Sequence, residues 1–126
     1  MSRPWEKAQA SARAARALLE LGDTDNAVDR AYCAMFAAAR AALRAIDPEL
    51  DRAKSHATII SRFGLHLVKT GKLDAELGRM LNETQTLRLT ATYEDDSIAG
   101  DEALVVIERL EKSMSDMHAY SSRQHP

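Results

Sequence analysis

Turned at 100° per residue, the run from Leu73 to Thr92 gathers Leu73, Leu77, Met80, Leu81, Thr84, Leu87 and Ala91 on one side, the pattern of an amphipathic helix. One residue breaks that pattern, because Arg88 falls inside the oily stripe. Four more helices follow from the same kind of reading. The first runs from about Trp5 to Leu21 and stops at Gly22, a C-terminal signal. Asp23 or Thr24 caps the second, which continues to about Ile46 with Asp25 in its first turn. Its stripe is Val28, Tyr32, Met35, Ala39, Leu43 and Ile46, with Phe36 at the edge. The other faces carry Ala34, Ala37, Ala38 and Ala41. A helix so poor in polar groups belongs at the centre of a bundle, where small residues permit close backbone approach.

Asp47-Pro48 breaks the second helix and a charged loop follows. Ser55 is positioned to cap a third helix that ends near Gly71, with Ile59, Ile60, Phe63 and Leu67 as its stripe and His56 on the same face at the first turn. Tyr93 to Gly100 is polar and loop-like. Asp101 begins a fifth helix with Ala103, Ile107, Leu110, Met114 and Met117 as its seam. From His118 onward the composition predicts a frayed tail over residues 118–126. The expectation is one domain over residues 1–126, an all-α, up-and-down bundle of about five helices.

Composition agrees with that class. The 126 residues are 45% hydrophobic but only 5% aromatic, with five glycines and three prolines. No apolar stretch approaches the ~20 residues of a membrane span, and the first residues form no apolar signal region. A single cysteine, Cys33, allows no intrachain disulfide and fits a reducing cytoplasm; in its Ala-rich helix it reads as a small core or interface residue. The net charge of −2 makes no general case for nucleic acid. Its distribution is uneven: residues 1–72 carry 12 Lys and Arg against 8 Asp and Glu, residues 73–126 carry 5 against 11. Opposite balances in the two halves, and the small-residue surface of the second and fifth helices, point to a homodimer.

The chemistry on offer is narrow. His56 and His66 stand ten apart, there is no His-Glu-x-x-His and no paired cysteine, so no metal site is expected. No glycine-rich phosphate loop exists and no cofactor is implied. His66 reads as a boundary residue, and His118 and His125 are given no role. Arg88 carries the question. Burying a guanidinium is costly unless it is paired. Either a carboxylate, such as those of Glu94-Asp95-Asp96 just after Tyr93, clamps it, or it faces a cleft for an anion. His56, at a helix start on the bundle-facing side, is either a hydrogen-bonded structural histidine or part of an anion site.

The segment from Asp29 to Arg40, Asp-Arg-Ala-Tyr-Cys-Ala-Met-Phe-Ala-Ala-Ala-Arg, resembles the Asn-Arg-x-Tyr-Tyr-Ala-x-Phe-His-x-Ala-Arg signature of the HEPN domain. Lys54-Ser55-His56, then Phe63 to Gly71, then Leu87-Arg88 through Tyr93-Glu94-Asp95-Asp96 follow in the order of the stand-alone prokaryotic branch, over residues 5 to 117. The resemblance implies an α-helical bundle, usually a homodimer. It also implies kinship with RNases or toxins commonly paired with a minimal nucleotidyltransferase as antitoxin. In that family the active motif is an arginine, four to six residues, then a histidine. Arg88 matches the arginine, and Tyr93 stands where the histidine would be. Tyrosine is a poor base near neutral pH, although it can donate a hydrogen bond or stack on a base. Asp29 for Asn, Cys33 for Tyr, Ala37 for His and Thr92 for Asp are further departures.

The resemblance thus implies a polar groove lined by Arg30, His56, Arg88, Tyr93, Asp95 and Asp96, contacting RNA or nucleotide through Arg88. Two other readings stay open. One is a weak metal-independent RNase in which Arg88 stabilises the phosphorane-like charge and His56 replaces the missing base. The other is an adaptor in which Arg88 only bonds carboxylates.

Overall fold

The computed structural model describes residues 3–52, 55–71, 75–93 and 97–124. Within them the chain forms an all-α bundle: α1 (Arg3–Glu20), α2 (Thr24–Ile46), α3 (His56–Phe63), α4 (Ala75–Tyr93) and α5 (Gly100–Gln124). A short 3-10 turn, Pro48–Asp51, links α2 to α3, and α3 runs on into a π-helical turn over Gly64–Val68.

Local chemistry sets the ends. Gly22 adopts φ +82, and its N–H bonds to the Leu19 carbonyl at 3.0 Å while that of Asp23 bonds to Leu18 at 2.9 Å. That double closure needs a left-handed residue, which glycine supplies without strain. Asp23 then caps α2, its carboxylate accepting from the Asn26 backbone N–H at 3.3 Å and from the Asn26 side chain at 2.8 Å. Ser55 caps α3 as expected, accepting from the Thr58 N–H at 3.4 Å. The helix predicted to reach Gly71 instead loosens at Gly64, where the Lys69 N–H bonds five residues back at 2.8 Å.

The alanine-rich α2 is the hub and packs against α1, α3, α4, α5 and the 3-10 turn. Fully buried Ala27, Ala31, Ala34 and Ala38 let neighbouring backbones come close. Tyr32, Met35 and Leu43 meet Ile59, Phe63 and Leu67 of α3, Met80 and Leu81 of α4, and Ile107, Leu110 and Met114 of α5 in the main core. A smaller cluster of Val28, Ile98 and Ala103 closes the end where α2 begins. The Asp25 carboxylate fixes that end, accepting from the Ile98 N–H at 2.8 Å. In the α4 stripe, Met80, Leu81 and Thr84 are buried as predicted, while Leu73 and the Leu77 side chain lie outside the described residues.

Ion pairs fasten the rim. Arg109 of α5 bonds Glu76 and Glu83 of α4, and Arg16 of α1 bonds Glu111 of α5. Arg109 and Arg79 hold the Glu76 carboxyl below its ordinary range. The frayed tail expected from His118 is not what the structure shows, since the α5 backbone stays helical to Gln124; the side chains from Tyr120 onward and residues 125 and 126 fall outside the description. The His118 ring stacks on buried Trp5 of α1, with centroids 5.4 Å apart and planes at 21°, a tertiary contact that polar composition does not reveal.

Candidate functional site

Helical spacing puts Asp29, Tyr32 and Phe36 along one side of α2. Tyr32 is buried at 1% exposure, Phe36 is half-buried, and Asp29 remains about half open to solvent. Two neighbouring elements lay polar side chains across them. From α4 come Gln85 and Arg88, one helical turn apart. From the first turn of α3 comes His56.

Among the described residues, Arg88 is held from three directions. Its Nε donates to Asp29 Oδ1 at 2.8 Å, its Nη1 donates to Gln85 Oε1 at 2.9 Å, and its Cζ sits 4.8 Å from the centroid of the Tyr32 ring. This is charge-assisted hydrogen bonding combined with a cation over an aromatic face. The side chain is nevertheless 31% exposed, and Asp29 is 48% exposed. The pairing is therefore a partly solvated contact at the groove wall and not a buried clamp. Its carboxylate comes from α2. Of the acidic triplet, Asp95 and Asp96 lie with Glu94 outside the described residues. Tyr93 closes α4 through its backbone, and its side chain and that of Thr92 lie outside the description too.

His56 stacks on Phe36 with ring centroids 4.0 Å apart and planes at 25°. Its Nδ1 lies 3.4 Å from the Tyr32 hydroxyl, and the residue is exposed. The position of α3 follows from the link before it. Asp47 caps the 3-10 turn, Arg40 Nε donates to the buried Asp51 at 2.6 Å, and Arg62 Nη1 donates to the Leu50 carbonyl at 3.1 Å. These bonds set the register that drops His56 onto Phe36. Burial raises the Tyr32 phenol above its ordinary value of 10.0, with the Arg88 charge pulling the other way.

Arg30 is not brought to this cluster. It stands two positions before Tyr32, which at 100° per residue turns it to the opposite side of α2, and it is exposed there. Asp29, Tyr32, Phe36 and Gln85, by contrast, contribute to the site although the sequence reading gave them no part in it. The signal was present for three of them, since they lie inside the signature segment on one helical face.

Asp25, Asn26, Asp29, Arg88 and Ala91 line a cleft of about 190 Å³ beside the guanidinium. Pockets that enclose small organic ligands are usually ~300–1,000 Å³. The cleft suits a phosphate-sized group and is too small to enclose a nucleotide. Two carboxylates against one arginine leave its lining net negative, so charge alone does not draw an anion in, and a phosphate would have to be held by directed hydrogen bonds to the guanidinium. Among the described residues no group of three or more His, Cys, Asp or Glu is placed to hold a metal, and no helix is long and apolar enough to cross a membrane.

A family model described as the HEPN domain matches residues 1–117. A UPF0332 protein of Gloeobacter violaceus is 40% identical over 88 residues, covering 70% of this chain and 68% of the relative. A Methanocaldococcus jannaschii protein named as a candidate toxin is 31% identical over 121 residues, covering 89% of this chain and 87% of its own length. A second candidate toxin of that organism is 35% identical over 91 residues, covering 71% of this chain and 58% of the relative.

Proposed function

The chain belongs to the HEPN domain family, and on that premise we propose that it binds single-stranded RNA across the face formed by α2, α4 and the start of α3. The observation that carries this reading is Arg88: it is spread over Tyr32, oriented by Asp29 and Gln85, and still about a third open beside a phosphate-sized cleft. A guanidinium oriented in this way loses little side-chain freedom when a phosphate replaces part of its hydration. The cleft is too small for an enclosed nucleotide, which favours an extended strand over a free mononucleotide.

Two relatives named as candidate toxins support placing the chain in a toxin–antitoxin-type pair. We extend the proposal to a cytoplasmic homodimer with a minimal nucleotidyltransferase as partner, the arrangement the family resemblance implies. Binding ranks ahead of cleavage because Tyr93, which stands where the family's histidine would be, is a poor base near neutral pH, and the His56 imidazole is stacked on Phe36 with Nδ1 3.4 Å from the Tyr32 hydroxyl. Fluorescence anisotropy with a short labelled RNA tests the reading. The expected result is saturable binding whose salt dependence has a slope of roughly −0.7 per phosphate contacted, reduced by about that amount in Arg88→Met. Equal binding and equal slope in the two proteins would overturn it.

A further inference from the structure

We propose that the outward face of the His56 ring, backed by Phe36, is a stacking subsite for an unpaired base of the same strand whose phosphate Arg88 contacts. This rests on the RNA-binding reading above and adds where a base goes. The platform is already built. Its two rings lie 4.0 Å apart, one half-buried and the other exposed, and the outer ring is steadied by the Tyr32 hydroxyl at 3.4 Å from its Nδ1. One face of the imidazole is covered by Phe36 and the residue as a whole is exposed, so an unpaired base would approach from the side away from Phe36. An exposed flat ring fixed in this way is what an unstacked base covers, with little ordering left to do.

Position and charge point the same way. Tyr32 connects the two halves, its centroid 6.0 Å from that of His56 and 4.8 Å from the Arg88 Cζ. The guanidinium and the platform are therefore within the reach of neighbouring units of one strand. Arg88 also shares its charge with Asp29, and Asp25 lies in the same cleft. The lining is thereby net negative, a phosphate is held there only by directed bonds to the guanidinium, and a useful affinity requires a second, uncharged contribution. Stacking of one base supplies roughly 5- to 150-fold.

The experiment uses the full chain and a short RNA carrying 2-aminopurine, whose fluorescence falls when it stacks. The parent protein should bind and quench the probe. His56→Ala should bind roughly tenfold more weakly and lose the quenching. His56→Phe keeps a flat ring and should restore both, which separates stacking from damage to the fold. If His56→Ala binds and quenches like the parent while Arg88→Met does not bind, the base subsite is wrong and the RNA reading stands. If the parent binds no RNA, both fall together.

Discussion

Replacing Arg88 by methionine removes one charge and keeps a stem of similar length. At 2.8 Å the bare attraction to Asp29 is about 1.5 kcal/mol at the dielectric of water and about 6 kcal/mol at an effective value of ~20. Desolvation and side-chain ordering cancel most of this, and partly exposed pairs contribute roughly 0.2–1 kcal/mol. The cation over Tyr32 adds about 0.5–1 kcal/mol. Asp29 is half exposed, so water re-solvates it when its partner leaves. Arg88→Met should therefore cost about 1–2 kcal/mol, a fall of roughly 3–10 °C in Tm for a chain of this size. Arg88→Ala also gives up the packed methylenes, about 1 kcal/mol more. A buried clamp would behave otherwise, losing ~3–5 kcal/mol in both variants. Thermal melts followed by circular dichroism, run beside RNA binding, make the comparison. A loss of that larger size in Arg88→Met, with RNA affinity unchanged, would refute the reasoning.

Three further outcomes are expected. Leu43 is fully buried in α2, so Leu43→Ala should lower stability by about 2–5 kcal/mol in urea unfolding, and a loss below 1 kcal/mol would contradict its place in the core. Tyr32 has a raised phenol pKa through burial, so the neutral form is favoured in the fold; the associated stability is intact below pH ~10 and is lost as pH climbs through the folded value. Ultraviolet titration of tyrosinate should show one late-ionising phenol, later still in Arg88→Met, where the opposing charge is gone. His118→Ala should shift Trp5 emission to the red and destabilise the α1–α5 contact by about 0.5–1.5 kcal/mol, and unchanged emission would argue against the stack.

Helix starts and stops were legible because they depend on neighbours in sequence: Gly22, Asp23 and Ser55 act within a few residues of themselves. The central place of α2 was legible too, since a helix apolar on most sides has nowhere else to go. What a helical wheel cannot state is which faces meet. The sequence offers the nearby triplet Glu94–Asp96, which lies outside the described residues, as one partner for Arg88; the carboxylate of Asp29, which arrives from another helix through packing, no wheel could offer. The continuation of α5 past Met117 was hidden for the same reason, since it depends on Trp5 at the other end of the chain. Arg30 is a different case. It belongs to the signature segment, and its neighbour Asp29 reaches the groove, but one step along a helix changes the side.

The floor of the groove has a kinetic consequence. Tyr32 and Phe36 stand on the helix that touches every other helix, so the platform cannot rearrange without loosening the core. The side chains above it, Arg88 and His56, are already held in place by Asp29, Gln85 and the Tyr32 hydroxyl. Encounter with a strand should then be a single step, its observed rate rising linearly with RNA concentration and showing no plateau from a slow opening. Discrimination between sequences would be expressed in how long each strand stays.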